Sequence, residues 1–107
     1  MGKLDAAVDD FAKACALAPT RDGPWTRLGI LRMRRSEFAL AVPAFDKAIE
    51  LNAKNAAAIG NRGICEYHLG RFSESHRDLK RAIELDPTLG EQLAKWRDLA
   101  AKKLKDE

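Results

Sequence analysis

Two histidines, two cysteines and sixteen carboxylates are the side chains in this 107-residue sequence that could carry acid–base, nucleophilic or metal chemistry. His76 lies near Glu74 and Asp78, but neither it nor His68 stands with a nucleophile in a recognised motif. Both histidines read as solvated surface residues. Cys15 and Cys65 are fifty positions apart and lie inside helical apolar patterns, without the clustered ligands that a metal site requires. They read as two reduced core thiols, which points to a reducing compartment and a cytoplasmic location. No glycine loop is spaced to cradle a phosphate. The expectation is a non-enzyme with no cofactor and no metal. What remains is non-covalent recognition. Methionine and tyrosine (Met33, Tyr67) suit adaptable apolar contact, and Arg27, Arg34 and Asn61 supply hydrogen-bond donors.

The elements that must position these residues follow from a repeat. Residues 70–87, GRFSESHRDLKRAIELDP, fall on residues 36–53 when moved back 34 places and on residues 2–19 when moved again. Leu4, Phe38 and Phe72 correspond, as do Ala7, Ala41 and Ser75. Phe11, Phe45 and Leu79 follow, then Ala14, Ala48 and Ala82, then Leu17, Leu51 and Leu85. Steps of three and four residues put each set on one helix face. A second set lies between these helices: Trp25, Ile59 and Leu93, then Leu28, Arg62 and Trp96, with Gly29 matching Gly63. A mid-helix glycine costs about 1 kcal/mol relative to alanine, so two at matching places imply close helix–helix contact.

W-x-x-L-G on Trp25, Leu28 and Gly29, followed by Ala41, Phe45 and Ala48 and, in the third copy, by ELDP ending at Pro87, resembles the tetratricopeptide repeat. The resemblance covers nearly the whole chain at the family's own period. It implies an all-α fold, an α–α superhelix of about six antiparallel helices near 3–17, 23–35, 38–51, 56–69, 72–85 and 89–105. The division expected is 1–21 as the second-helix half of a first repeat, 22–55 and 56–88 as full repeats, and 89–107 as a capping helix. Pro43 predicts a late start or a bend in the third helix. Ala53, standing where Pro19 and Pro87 stand, predicts a less rigid junction.

The resemblance also implies that the first helix of each pair lines a concave groove. The positions carried over are Thr26, Arg27, Ile30, Met33 and Arg34, then Gly60, Asn61, Ile64, Tyr67 and His68, with Glu91, Ala94, Lys95 and Asp98 in the capping helix. Among the last group, Lys95 is the binding candidate. The dicarboxylate clamp that reads acidic chaperone tails is matched by Asn61 and Lys95 but not by Thr26, Ile30 or Glu91. Acidic groups are still expected to pair with Arg27, Arg34 and Arg62.

The function expected is a non-catalytic protein–protein interaction module, a scaffold that binds a peptide segment of a partner in this groove. The alternative is self-assembly: Leu4, Val8, Phe11 and Cys15 have no opening helix before them, so either the sequence is a piece of a longer protein or a second chain, as in a homo-oligomer, covers them. The net charge of +3 is too small to name an acidic partner. The acids Asp98, Asp106 and Glu107 among the final lysines argue against nucleic acid, and lysines in a last helical turn already suit the helix dipole. No apolar run approaches the roughly 20 residues that span a bilayer.

Overall fold

A computed structural model describes residues 2–106. Six helices follow one another: α1 (Gly2–Leu17), α2 (Asp22–Arg34), α3 (Phe38–Leu51), α4 (Ala56–His68), α5 (Phe72–Leu85) and α6 (Gly90–Asp106), with one 3-10 turn at Pro87–Leu89 before α6. Alanine, leucine and long charged side chains favour helix throughout, while the polar and proline residues between them stop it. Asn55 caps α4, its Oδ1 accepting the Ala58 amide at 3.0 Å. Asp86 holds the 3-10 turn by accepting from the Thr88 amide and hydroxyl at 3.1 and 2.6 Å.

Pro43 lies inside α3, which begins at Phe38 and not late. The proline is exposed, as is Ala39, whose carbonyl loses the Pro43 amide as a donor and can face water instead. At the junction where Ala53 replaces proline, side chains take over. Asn55 Nδ2 donates to Asp22 Oδ2 and to Thr26 Oγ1, both at 2.9 Å, and Asn52 Nδ2 reaches the same carboxylate at 3.2 Å. The start of α2 is thereby tied to the start of α4.

Packing proceeds pair by pair in three overlapping clusters. Val8 and Cys15 of α1 meet Leu28 of α2 and Ala44 of α3. Ala41, Val42, Phe45 and Ala48 of α3 meet Ala58 and Cys65 of α4. Ile59 of α4 meets Leu79 and Ala82 of α5 and Leu93 of α6. Each cluster joins neighbours only, as expected of a quasi-one-dimensional stack. The matched glycines are the close contacts their positions suggest. A Cβ on Gly29 would lie 2.5 Å from the Phe45 ring, and one on Gly63 would lie 2.9 Å from Leu79 Cγ. Alternate helices are not equivalent: the backbones of α2 and α4, and of α4 and α6, come close, whereas among the described residues those of α1, α3 and α5 do not. The stack is therefore tight along α2, α4 and α6 and splayed on the other side, so the first helices form its concave face.

The two short turns inside the helical pairs share a backbone path. Gly70 has φ +78°, and Ser36, 34 residues earlier, has φ +60°. The following amides, Arg71 and Glu37, close back on Glu66 and Arg32 carbonyls at 2.8 and 2.9 Å. Left-handed backbone costs an L-residue roughly 1 kcal/mol that glycine avoids. Ser36→Gly is accordingly expected to raise unfolding free energy by about 0.5–1 kcal/mol in urea titration, and an equal or lower value contradicts the strain.

Candidate functional site

The residues expected to line the groove differ in how open the fold leaves them. Arg27 and Arg34 of α2, His68 of α4 and Lys95 of α6 are exposed. Ile30, Met33, Asn61, Ile64 and Tyr67 are half-buried. Ile30 and Met33 lean on the α3/α4 cluster and Ile64 on the α5/α6 cluster, so each gives one side to the core. Thr26 and Gly60 are buried. The Thr26 hydroxyl donates to the Asp22 carbonyl at 3.0 Å and accepts from Asn55, and Gly60 is covered by Leu93, whose Cδ1 would stand 2.7 Å from an added Cβ. Both take part in packing. A hollow of about 90 Å³ remains where α4 meets α6, lined by Ala57, Gly60, Asn61, Leu89, Gln92 and Leu93. It has room for one side chain, well short of the several hundred Å³ of a small-molecule site.

At the other end of α4 the face is aromatic. Tyr67 lies edge-on to Phe72 at 5.4 Å and to Trp96 at 5.5 Å between ring centroids. His68 stacks on Phe38 at 4.3 Å with an 11° interplanar angle and meets Trp96 at 5.3 Å. His68 is thus exposed but held by rings on α3 and α6, not simply solvated. Lys95 Nζ sits 5.4 Å from the Trp96 centroid. Arg27, Arg34 and Lys95 form no ion pair among the described residues. They present free cations along the face.

Arg62 is not among them. Its Nε and Nη2 bind Asp78 at 2.8 and 3.0 Å, and its Nη1 binds Asp46 at 2.9 Å. Arg62 therefore joins α3, α4 and α5 internally, which corrects the expectation that it receives acidic groups from outside. Burial disfavours its charge, but the hydrogen bonds to Asp78 and Asp46 outweigh that and raise its pKa above the ordinary value. Glu66, one turn along α4, is also buried, and its Oε1 has no hydrogen-bond partner. Burial first, then the hydrogen bond and charge of Asp78, push its pKa up to about 9 against the opposing pull of Arg62. The site therefore favours the protonated form of Glu66. The free thiols are buried: desolvation pushes Cys65 up to about 12 and raises Cys15 against the pull of Arg32, so neither is poised as a nucleophile. Among the described residues no group of three His, Cys, Asp or Glu side chains is placed to hold a metal, and no helix is long and apolar enough to cross a membrane.

The family profile of the tetratricopeptide repeat matches residues 26–89. The chain belongs to the tetratricopeptide repeat family. It is 32% identical over 104 residues to cellulose synthase operon protein C of Komagataeibacter xylinus, which is 92% of this chain but spans only 8% of that relative. The first repeat domain of Spaghetti (RPAP3), solved bound to the HSP90 peptide SRMEEVD, superposes with a TM-score of 0.83 at 27% identity, over 94% of this chain and 82% of that one. The Yersinia enterocolitica type III secretion chaperone SycD, solved with a peptide of the translocator YopD, superposes at 0.86 with 22% identity, over 99% and 84%. The second likeness is one of fold alone.

Two features of this tetratricopeptide domain lay outside the sequence reading. Phe38, Phe72 and Trp96 join Tyr67 and His68 only because the turns after α2 and α4 and the placing of α6 bring three helices to one spot. The Arg62–Asp78–Glu66 network had a signal: Arg62 and Asp78 occupy the positions of Leu28 and Ala44, polar residues in apolar slots. The neutral state of Glu66 also fixes a pH dependence. The folded chain keeps a proton that the unfolded chain releases above about 4.5, so this stabilisation is complete below that pH and is lost as pH rises toward about 9. Relative to Glu66→Gln, the native chain is expected to lose stability across pH 5–9, by at most about 1.4 kcal/mol per pH unit. Parallel stability–pH curves for the two chains contradict a neutral Glu66.

Proposed function

We propose that this domain is a non-catalytic protein-interaction module that holds an extended or helical peptide segment of a partner on the concave face of α2, α4 and α6. The observation that carries the reading is the unpaired set Arg27, Arg34 and Lys95 beside half-buried Met33, Ile64 and Tyr67 on one concave surface. Such a surface suits a segment that mixes carboxylates with apolar side chains: charge-assisted hydrogen bonds orient it and the apolar contacts supply area. Support comes from Spaghetti (RPAP3), 27% identical and solved with an acidic peptide. The way of reading that peptide is not carried over. A two-carboxylate clamp would need a cation at the place of Thr26, which is buried here, and another at Glu91, which carries the opposite charge. Binding would instead spread over Arg27, Arg34 and Lys95.

Selection from a random peptide library tests this. The enriched peptides are expected to combine Asp or Glu with Leu, Met or aromatic residues. Because Arg27 and Arg34 are exposed and unpaired, Arg27→Glu with Arg34→Glu is expected to leave the helical signal and melting temperature near those of the parent while weakening the peptides about tenfold or more. Peptides that bind the double variant equally well refute the groove.

A further inference from the structure

We infer that this chain associates with further copies of itself through the outer faces of α1 and α5, the acidic face of α1 in one copy lying along the basic face of α5 in the next. An open hollow of about 320 Å³ marks the basic side, lined by His76, Arg77, Lys80, Arg81 and Glu84. Its walls are charged or polar side chains of a single helix, so it is a trough for the side chains of a docking surface and not an apolar small-molecule cleft. His76 is half-buried and the other four are exposed. Lys80 is in no ion pair among the described residues. Arg77 and Arg81 reach Asp78 and Glu84 only at 4.0 Å, and Asp78 is already held by Arg62 at 2.8 Å.

The occupant is read from the order of charge. Along α5 it runs cation, cation, acid at steps of three and four residues: Arg77, then Lys80 with Arg81, then Glu84. The outer face of α1 carries the reverse order at steps of four, Asp5, Asp9 and Lys13, all exposed. Laid side by side in the same direction, Asp5 meets Arg77, Asp9 meets Lys80 and Arg81, and Lys13 meets Glu84. In the opposite direction Lys13 would meet Arg77 and Asp5 would meet Glu84, so the charges also set the polarity. Asp9 and Lys13 form no ion pair among the described residues, and Asp5 shares Arg35 with Glu37 at 3.5 and 3.1 Å. Within one chain the backbones of α1 and α5 do not come close, so the pairing is between copies.

These α1 positions stay open whether or not a helix stands before α1. Their counterparts 34 and 68 residues on, Ala39 and Pro43 in α3 and Ser73, Arg77 and Arg81 in α5, are exposed with a preceding helix in place. The face differs from the apolar one expected to self-associate. Of Leu4, Val8, Phe11 and Cys15, Val8 and Cys15 are buried with Leu28 and Ala44, and the other two are half-buried. A long polyanion is a poorer occupant of α5. The basic stretch covers two helical turns, about 10 Å, ends at Glu84 and carries no Phe, Tyr or Trp on which a base could stack.

A contact between unlike faces leaves each copy a second face for another. Exposed ion pairs contribute little singly, so the association is weak and sensitive to salt. Sedimentation equilibrium of the full chain tests it. Reversible association is expected at chain concentrations up to about 1 mM in about 10 mM salt, and its loss in about 1 M salt, where the screening length falls from about 30 Å to about 3 Å. Asp9→Lys, or Arg77→Glu with Arg81→Glu, is expected to weaken association about tenfold while the melting temperature stays near that of the parent. Mixing the two variants is expected to restore it, because each keeps the native face that the other has lost. A chain that stays monomeric at about 1 mM in low salt, association that salt does not weaken, or variants that associate as before or fail to recover on mixing overturn the contact. A monomeric chain that binds labelled poly-glutamate through Arg77 and Arg81 overturns it as well, by making a different acidic protein the occupant.

Discussion

Two side chains entering the space beside two glycines set the geometry of this domain. Phe45 against Gly29 and Leu79 against Gly63 bring each pair of helices closer than any Cβ at those positions would permit. Glycine inside a helix is unfavourable by about 1 kcal/mol relative to alanine, and the offset comes from burying a phenylalanine and a leucine completely, worth roughly 1.5–3 kcal/mol each. Once α2 and α3, and α4 and α5, are held at that distance, the next helix has one place to stack. The tight edge through α2, α4 and α6 is then the edge on which the free arginines and the aromatic group stand.

The second pair adds something the first does not. Where Leu28 and Ala44 meet as apolar surfaces, Arg62 and Asp78 meet as ions, with Asp46 contributing from the preceding helix and Glu66 buried beside them. Replacing a buried pair by apolar residues is often neutral or stabilising, whereas removing one partner costs several kcal/mol. The value of this network is accordingly directional. It joins three helices through one guanidinium, and a slip of α4 against α5 by one turn would strand a charge. Burial beside Asp78 favours the protonated form of Glu66, which limits the negative charge gathered at that site.

The division of labour between helices follows from the same packing. α3 and α5 spend most of their large apolar residues on the core, Leu40 of α3 being the exposed exception. α2 and α6 keep the exposed cations Arg27, Arg34 and Lys95, and α2 and α4 keep half-buried Met33, Ile64 and Tyr67. α1 adds Val8 and Cys15 to the same stack, where they pack with Leu28 of α2 and Ala44 of α3.

The six helices, their order and their bounds to within a residue or two were legible in the sequence, because a fixed 34-residue period repeats the same apolar spacing and helical periodicity is a local property of the chain. The close approach at Gly29 and Gly63 was legible for the same reason, since two matching exceptions to helix preference have one physical explanation. The site was legible only in part. Periodicity assigns a residue to a face of a helix but not to what lies across from it, so the Thr26 hydroxyl looks free until Asn55 is seen to donate to it. Arg62 looks free until Asp46 and Asp78 arrive from two other helices. The aromatic contact of Phe38, Tyr67, His68, Phe72 and Trp96 draws on four helices, and the proton on Glu66 depends on burial and on Asp78, neither of which exists in an extended chain. The chain by itself determined which helices form and how they repeat; the stacking decided which polar groups are spent inside and which remain for a partner, because that depends on distances between segments that the local pattern does not contain.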